Sequence, residues 1–212
     1  MLIIVSDGGV RKIPTSSETA GAYSTSVTTD TGETYRTTEV FEEATNNQME
    51  LLGMLEGVMA AYQYVVQHGP TEVFLVSDSQ LVIKGISEGG YLETWRRRNY
   101  HKASGQPVIN NDIWRVLDTA LIALRQVTKV NCFWVRGHLT PTDIQNITDP
   151  HIRIFSQLNV RCDEALGAEL DKVHFDTDRY VTKRDKLASQ LQTLQQLSMN
   201  TTLERERSAY DH

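Results

Sequence analysis

The stretch TNNQMELLGMLEG at positions 45–57 opens like a buried helix and then sets a carboxylate beside its apolar stripe. Met49, Leu52, Leu55, Val58 and Met59 recur at the spacing of one helix face, and Glu50 lies next to them, on the side carrying Gly53 and Gly57. Other polar groups follow apolar runs that read as strands: Asp7, Asp78, and the pair Gly137-His138. In an open α/β sheet, ligands bind where the chain leaves its strands, so carboxylates and an imidazole collected at such an edge point to a chemical site. Each group also has a structural reading. Asp7-Gly8-Gly9 can close a turn, Asp78-Ser79 can cap a helix, Thr45 and Gln48 fit a capping box, and RCDE at 161–164 fits a solvated helix face.

The elements that must position these groups follow from changes in apolar period. Residues 2–5 read as a buried strand ending at the Ser6–Gly9 stretch, and 23–27 and 34–41 alternate like half-exposed strands joined by the turn Asp30-Thr31-Gly32. A long helix over 46–68 stops at Gly69-Pro70. Then come a strand at 73–76, a short helix at 79–86, the break Gly89-Gly90, a basic segment, a helix near 110–126 and a strand at 130–135. A long loop over 139–158 leads into a helix at 159–170. A meander followed by strands alternating with helices implies a mixed sheet covered on both faces.

Composition bounds the setting. A chain of 212 residues with 40% hydrophobic content suffices for one well-buried domain and an extension. The opening apolar run is too short for a signal peptide and no later segment approaches membrane-spanning length, so a soluble, cytoplasmic protein is expected. Cys132 and Cys162 lack the spacing of a zinc site and are expected as reduced thiols in or near the core. A net charge of −6 argues against indiscriminate nucleic-acid binding but leaves room for a local basic patch.

Taken in order, DGG at 7–9, TNNQME at 45–50, SDSQ at 77–80, the basic TWRRRNYHK at 94–102, WVRGH at 134–138 and NVRCDEA at 159–165 resemble type 1 ribonuclease H over residues 1–170. The resemblance implies an α/β ribonuclease H-like fold, a five-stranded mixed sheet with helices on both faces, and hydrolysis of the RNA strand of RNA/DNA hybrids. It implies that Asp7, Glu50, Asp78 and Asp163 converge to hold two divalent ions, with 5′-phosphate and 3′-hydroxyl products. Four crowded carboxylates repel one another unless cations neutralise them, and an all-oxygen set suits magnesium or manganese. Gly53 and Gly57 would let the helix come close enough to the sheet for Glu50 to reach. By the same resemblance His138 helps move protons or release product. Asn46, Asn47 and Gln80 read the 2′-hydroxyls of the RNA, and Asn159 belongs to the substrate-binding set. Thr45 contacts the DNA strand, Trp95 stacks on deoxyribose, Arg96, Arg97, Arg98 and Lys102 form a basic handle near DNA phosphates, and Tyr100 belongs to the same substrate-binding set.

Departures from the family pattern carry their own expectations. The first loop has Ile13 where an asparagine contact to a hydroxyl is usual, the approach to the handle is slightly longer, and the 139–158 insertion offers His151, Asp143 and Asp149 as outside candidates. A ribonuclease H-like DNA nuclease or resolvase, a non-catalytic hybrid-binding module, and a scaffold whose tail recruits partners are the rival readings. Residues 171–212 are expected as a helical extension with a mobile end. In it Leu187, Leu191 and Leu194 recur at helical spacing, to pack on the catalytic domain, to form a homodimer, or to dock a replication partner.

Overall fold

A computed structural model describes residues 1–12, 19–173, 180 and 182–210, with side chains up to 199. The expectation about Ile13 lies outside the described residues. Strands β1 (Leu2–Lys12), β2 (Thr19–Thr28), β3 (Thr34–Glu42), β4 (Val73–Ser77) and β5 (Val130–Trp134) form a five-stranded sheet in the order β3-β2-β1-β4-β5. β1, β2 and β3 pair antiparallel, whereas β4 runs parallel to both β1 and β5. The mixed sheet expected from the alternation of periods is therefore present.

Helices cover both faces. Along β1, Leu2 and Ile4 enter the core shared with α1 (Asn46–His68) and α4 (Asn111–Val127), while Ile3 and Val5 enter a second core beneath α6 (Pro150–Leu170). This period of two, buried on both sides, is why the run reads as continuously apolar. α2 (Gln80–Ile86) and α3 (Tyr91–Arg97) lie between β4 and α4 in the chain, with α5 (Pro141–Gln145) before α6. Cys162 is buried, Cys132 half-buried, and both are free thiols.

Two boundaries differ from expectation. β1 does not end at Ser6–Gly9 but pairs with β2 as far as Lys12↔Thr19. Its parallel pairing with β4 stops at Val5↔Val76, so Asp7 stands in a strand just past the point where one neighbour ends. Gly8 is there for clearance: a Cβ on it would lie 2.3 Å from the backbone nitrogen of Glu50. The 139–158 segment is largely helical rather than a loop. Thr140 and Asp143 close a capping box at α5, and Asp149 caps α6 by accepting from the N–H groups of His151 and Ile152. Pro141 and Pro150 occupy first-turn positions, where the missing N–H costs nothing. The extra turns of α6 bring Phe155 to 5.3 Å from Phe133 and 6.0 Å from Phe74 between ring centroids, covering the back of β4 and β5. Asp149 is thus a helix cap and Asp143 the returning member of a capping box.

Beyond that core, α7 (Lys183–Tyr210) lies against α1 and α4, burying Leu187 and Leu194 and leaving Leu191 exposed. Two of the three stripe leucines expected for packing or partner docking are thus used within the chain. Lys186, 8% exposed, places Nζ 2.9 Å from Glu39 of β3 and 2.7 Å from Glu56 of α1. Tyr23 donates to Glu39 and Gln190 donates to Glu56. Without the ammonium, two carboxylates would share a largely dry pocket. Lys186→Met is therefore expected to destabilise the protein by about 3 kcal/mol, as removal of one member of a buried pair does. Urea denaturation checks this; adding Glu39→Gln and Glu56→Gln to the variant should recover part of the loss.

Candidate active site

Close approaches at glycines surround Asp7, Glu50 and Asp78. The capping box at Thr45 starts α1, with Thr45 N–H donating to Gln48 Oε1 at 3.0 Å and Gln48 N–H to Thr45 Oγ1 at 3.4 Å. α1 then lies almost directly on the sheet. A Cβ at Gly57 would sit 2.3 Å from Ile4 Cγ2, one at Gly53 would sit 3.1 Å from Tyr23 Cβ, and the Thr25 hydroxyl donates to the Gly53 carbonyl at 2.7 Å. The expected role of these glycines in bringing Glu50 to the sheet matches this packing. Asp78 follows β4 and precedes Ser79, the cap of α2. Its carbonyl accepts the indole N–H of Trp134 at 2.8 Å, and a Cβ on Gly137 would fall 2.1 Å from its Oδ2. Asp163 comes from α6 on the opposite face of the sheet.

These placements bring the four carboxylates together. Asp7, Glu50 and Asp78 each offer an oxygen within 4.8 Å of the others. Asp163 lines the same cavity, of about 360 Å³, with Asn46 and His138. His138 sits on a left-handed turn at φ 52°, 82% exposed, with Nδ1 3.3 Å from Asp163 Oδ2. His151, Asp143 and Asp149 do not line this cavity.

The electrostatics are those of a site built for positive charge. Burial, then the charges of Asp78 and Asp163, push Asp7 up to about 7, against the Gly8 N–H and the Asn159 amide, which stabilise its charged form. Burial, then Asp7 and Asp78, push Glu50 up to about 9. Burial also raises Asp78, with the nearby His138 opposing. Among the described residues, Glu50 Oε2 and Asp78 Oδ1 are buried acceptors with no hydrogen-bond partner. A buried acceptor left unpaired is costly, and a hard divalent cation is the partner that an all-carboxylate oxygen set satisfies best. The residues present therefore fit a hard divalent cation.

Of the residues expected to meet substrate, Thr45, Asn46, Asn47 and Gln80 are exposed, and the Gln80 side chain accepts from Lys84 at 3.0 Å. Asn159 is 2% exposed, and its Nδ2 donates to Asp7 Oδ2 at 3.3 Å, so it sits beneath the carboxylate rather than on the surface. In the basic segment Trp95 is half-buried, edge-on to Trp114 at 5.2 Å. Arg97, Arg98 and Lys102 are exposed. Arg96 is exposed as well, but its guanidinium pairs with the buried Asp118 of α4, and the buried Tyr100 donates its hydroxyl to the same carboxylate. Sequence reasoning missed Asp118, although its placement among the apolar residues of α4 is the same kind of signal that singles out Glu50.

Raised carboxylate pKa values fix the sign of a pH effect. The folded state holds protons on Asp7 and Glu50 more tightly than the unfolded chain, whose values are near 3.8 and 4.5. Their stabilising contribution is complete below that range and is lost as pH rises through about 7 and about 9. In a chelator, Asp7→Asn should therefore melt higher than the unsubstituted protein at about pH 8, with the advantage shrinking towards about pH 4. Excess magnesium should raise the melting temperature of the unsubstituted protein more than that of the variant. Calorimetry across pH, with and without the ion, checks both.

A family model described as RNase H matches residues 1–170. Ribonuclease H of Pseudomonas fluorescens (strain Pf0-1) is 43% identical over 97 residues, 45% of this chain and 54% of the relative. Ribonuclease H of Halorhodospira halophila is 43% identical over 96 residues, 45% of this chain and 56% of the relative. The chain thus spans about half the length of the curated relatives it matches. Among solved structures, the protease-reverse transcriptase of Prototype Foamy Virus is similar with a TM-score of 0.55 at 16% identity, over 82% of this chain and 21% of that one. LC11-RNase H1, isolated from compost by a metagenomic approach, gives 0.50 at 16% identity, over 81% and 96%. At such identities the structural likeness speaks for the fold, and the match over residues 1–170 speaks for the family. The chain belongs to the RNase H family.

Proposed function

We propose that this chain is an endoribonuclease that hydrolyses the RNA strand of RNA/DNA hybrids, leaving 5′-phosphate and 3′-hydroxyl ends. The observation that carries the reading is the convergence of Asp7, Glu50, Asp78 and Asp163 on one cavity, where among the described residues Glu50 Oε2 and Asp78 Oδ1 are buried without a hydrogen-bond partner. In this reading the four carboxylates hold two divalent ions, magnesium or manganese. When bound, such ions activate water as the nucleophile and stabilise the departing 3′ oxygen.

The chain's own groups do the remaining work. Asn159 and the Gly8 N–H hold Asp7 in one orientation, and Gly137 and Trp134 hold Asp78. His138 moves protons at an imidazole that is open to solvent and anchored on Asp163. Asn46, Asn47 and Gln80 present amides able to read 2′-hydroxyls, which distinguish RNA from DNA. Thr45 meets the DNA strand, Trp95 gives an apolar surface for its sugars, and Arg97, Arg98 and Lys102 bind its phosphates. Among the described residues no helix is long and apolar enough to cross a membrane, and the proposed setting is the cytoplasm.

One assay tests the reading. The protein and an Asp78→Asn variant are incubated with magnesium and labelled RNA/DNA hybrid, RNA duplex, DNA duplex and single strands. Cleavage confined to the RNA of the hybrid, reduced at least about 100-fold in the variant, is the expected result. Equal cutting of DNA duplex would instead mark a ribonuclease H-like DNA nuclease, and hybrid binding without any cutting would mark a non-catalytic module.

A further inference from the structure

Asp118 is a carboxylate 2% exposed on α4, flanked by the buried Ile113, Leu117 and Leu121. Three donors from the basic segment make it tolerable there. Arg96 gives Nε at 2.8 Å and Nη2 at 2.5 Å, and the Tyr100 hydroxyl closes the set. Arg96 and Tyr100 bracket Arg97 and Arg98, so α4 grips the segment on both sides of its exposed cations.

The backbone between them is forced. Asn99 and Tyr100 both lie in the left-handed region, at φ 49° and 59°, where a bulky aromatic is rare. Such a conformation persists only where its surroundings over-determine it. Here Tyr100 N–H donates to the Trp95 carbonyl at 2.7 Å. The Arg115 guanidinium covers the Tyr100 ring at 4.4 Å, and Arg115 Nη2 reaches the Asn99 carbonyl and side-chain oxygens at 2.9 Å each. Arg96 is itself exposed, and its bidentate pair with the buried Asp118 fixes angles as well as distance.

We propose that Asp118 is a positioning residue for hybrid recognition: by holding Arg96 and Tyr100 it sets where Arg97, Arg98 and Lys102 meet the DNA strand, and Arg96 serves as a strut. The inference rests on the hybrid-cleaving reading above. It differs from the expectation that Arg96 is one more phosphate ligand. A strut needs the guanidinium fork, whereas a group that only neutralises a phosphate needs just the positive charge.

The test uses the full chain with Asp118→Asn, Tyr100→Phe and Arg96→Lys, measuring steady-state cleavage of hybrid and, in an Asp78→Asn background, hybrid binding as a function of salt. Asp118→Asn should raise KM about tenfold with kcat within about twofold. It should also flatten the slope of log K against log salt by about 0.7–0.9 for each phosphate that the displaced cations no longer neutralise. Tyr100→Phe should act in the same direction but less. Arg96→Lys should resemble Asp118→Asn although its charge is kept, and the two together should cost little more than either alone. Unchanged KM and salt slope in Tyr100→Phe and Arg96→Lys overturn the proposal, even if Asp118→Asn does not fold. So does a fall in kcat with KM unchanged. An unsubstituted protein that binds hybrid no better than DNA duplex is a different result: it removes the functional reading, and this proposal with it.

Discussion

Carboxylates crowded into a half-dry cavity repel one another, and the rest of the architecture is arranged to hold them there anyway. Asp7 comes from a strand, Glu50 from a helix on one face, Asp163 from a helix on the other, and Asp78 from the turn after a strand. No two are close in sequence, so only the folded sheet brings them together. Clearance is obtained by removing side chains. Gly8 and Gly57 let α1 approach β1, and Gly137 lets the loop after β5 close over Asp78. A methyl group at any of these sites would meet backbone, a packed side chain or the carboxylate itself.

Away from the cavity, carboxylates drawn together or buried are met by cations of the chain itself. Lys186 enters a pocket holding Glu39 and Glu56, and Arg96 reaches the buried Asp118. In each of these pairs one member is buried, so removal of its partner is expensive. They bind segments whose placement matters: α7 to α1 and β3, and the basic segment to α4. The RNase H match ends at residue 170, yet α7 buries leucines on α1 and α4, the first of which carries Glu50.

How much of this is legible depends on whether a signal is local. The succession of strands and helices, the long helix from Asn46 to His68 and the acidic positions can be read because each rests on a period or a motif within a few residues. Gly8-Gly9 misleads because glycine marks both a turn and a close approach, and only the distant Glu50 backbone tells which. The 139–158 stretch reads as loop when its excess over the family's spacing is given more weight than its local chemistry. Thr140-Pro141 and Asp149-Pro150 are nevertheless cap-and-proline pairs that open helices. Asn159 cannot be placed from sequence, since its partner Asp7 is far along the chain. Asp118 and Lys186 escape notice for a related reason: a buried charge is visible as an oddity in a periodic stripe, but its meaning lies in a partner on another element.

The central claim is that the four carboxylates form a cation site, and crystals soaked in manganese test it most directly. An anomalous difference map should show density bounded by Asp7, Glu50, Asp78 and Asp163, and that density should vanish when Asp78 is replaced by Asn. Crystals without such density at saturating manganese, or with the ion bound elsewhere and the four side chains unliganded, would contradict the account.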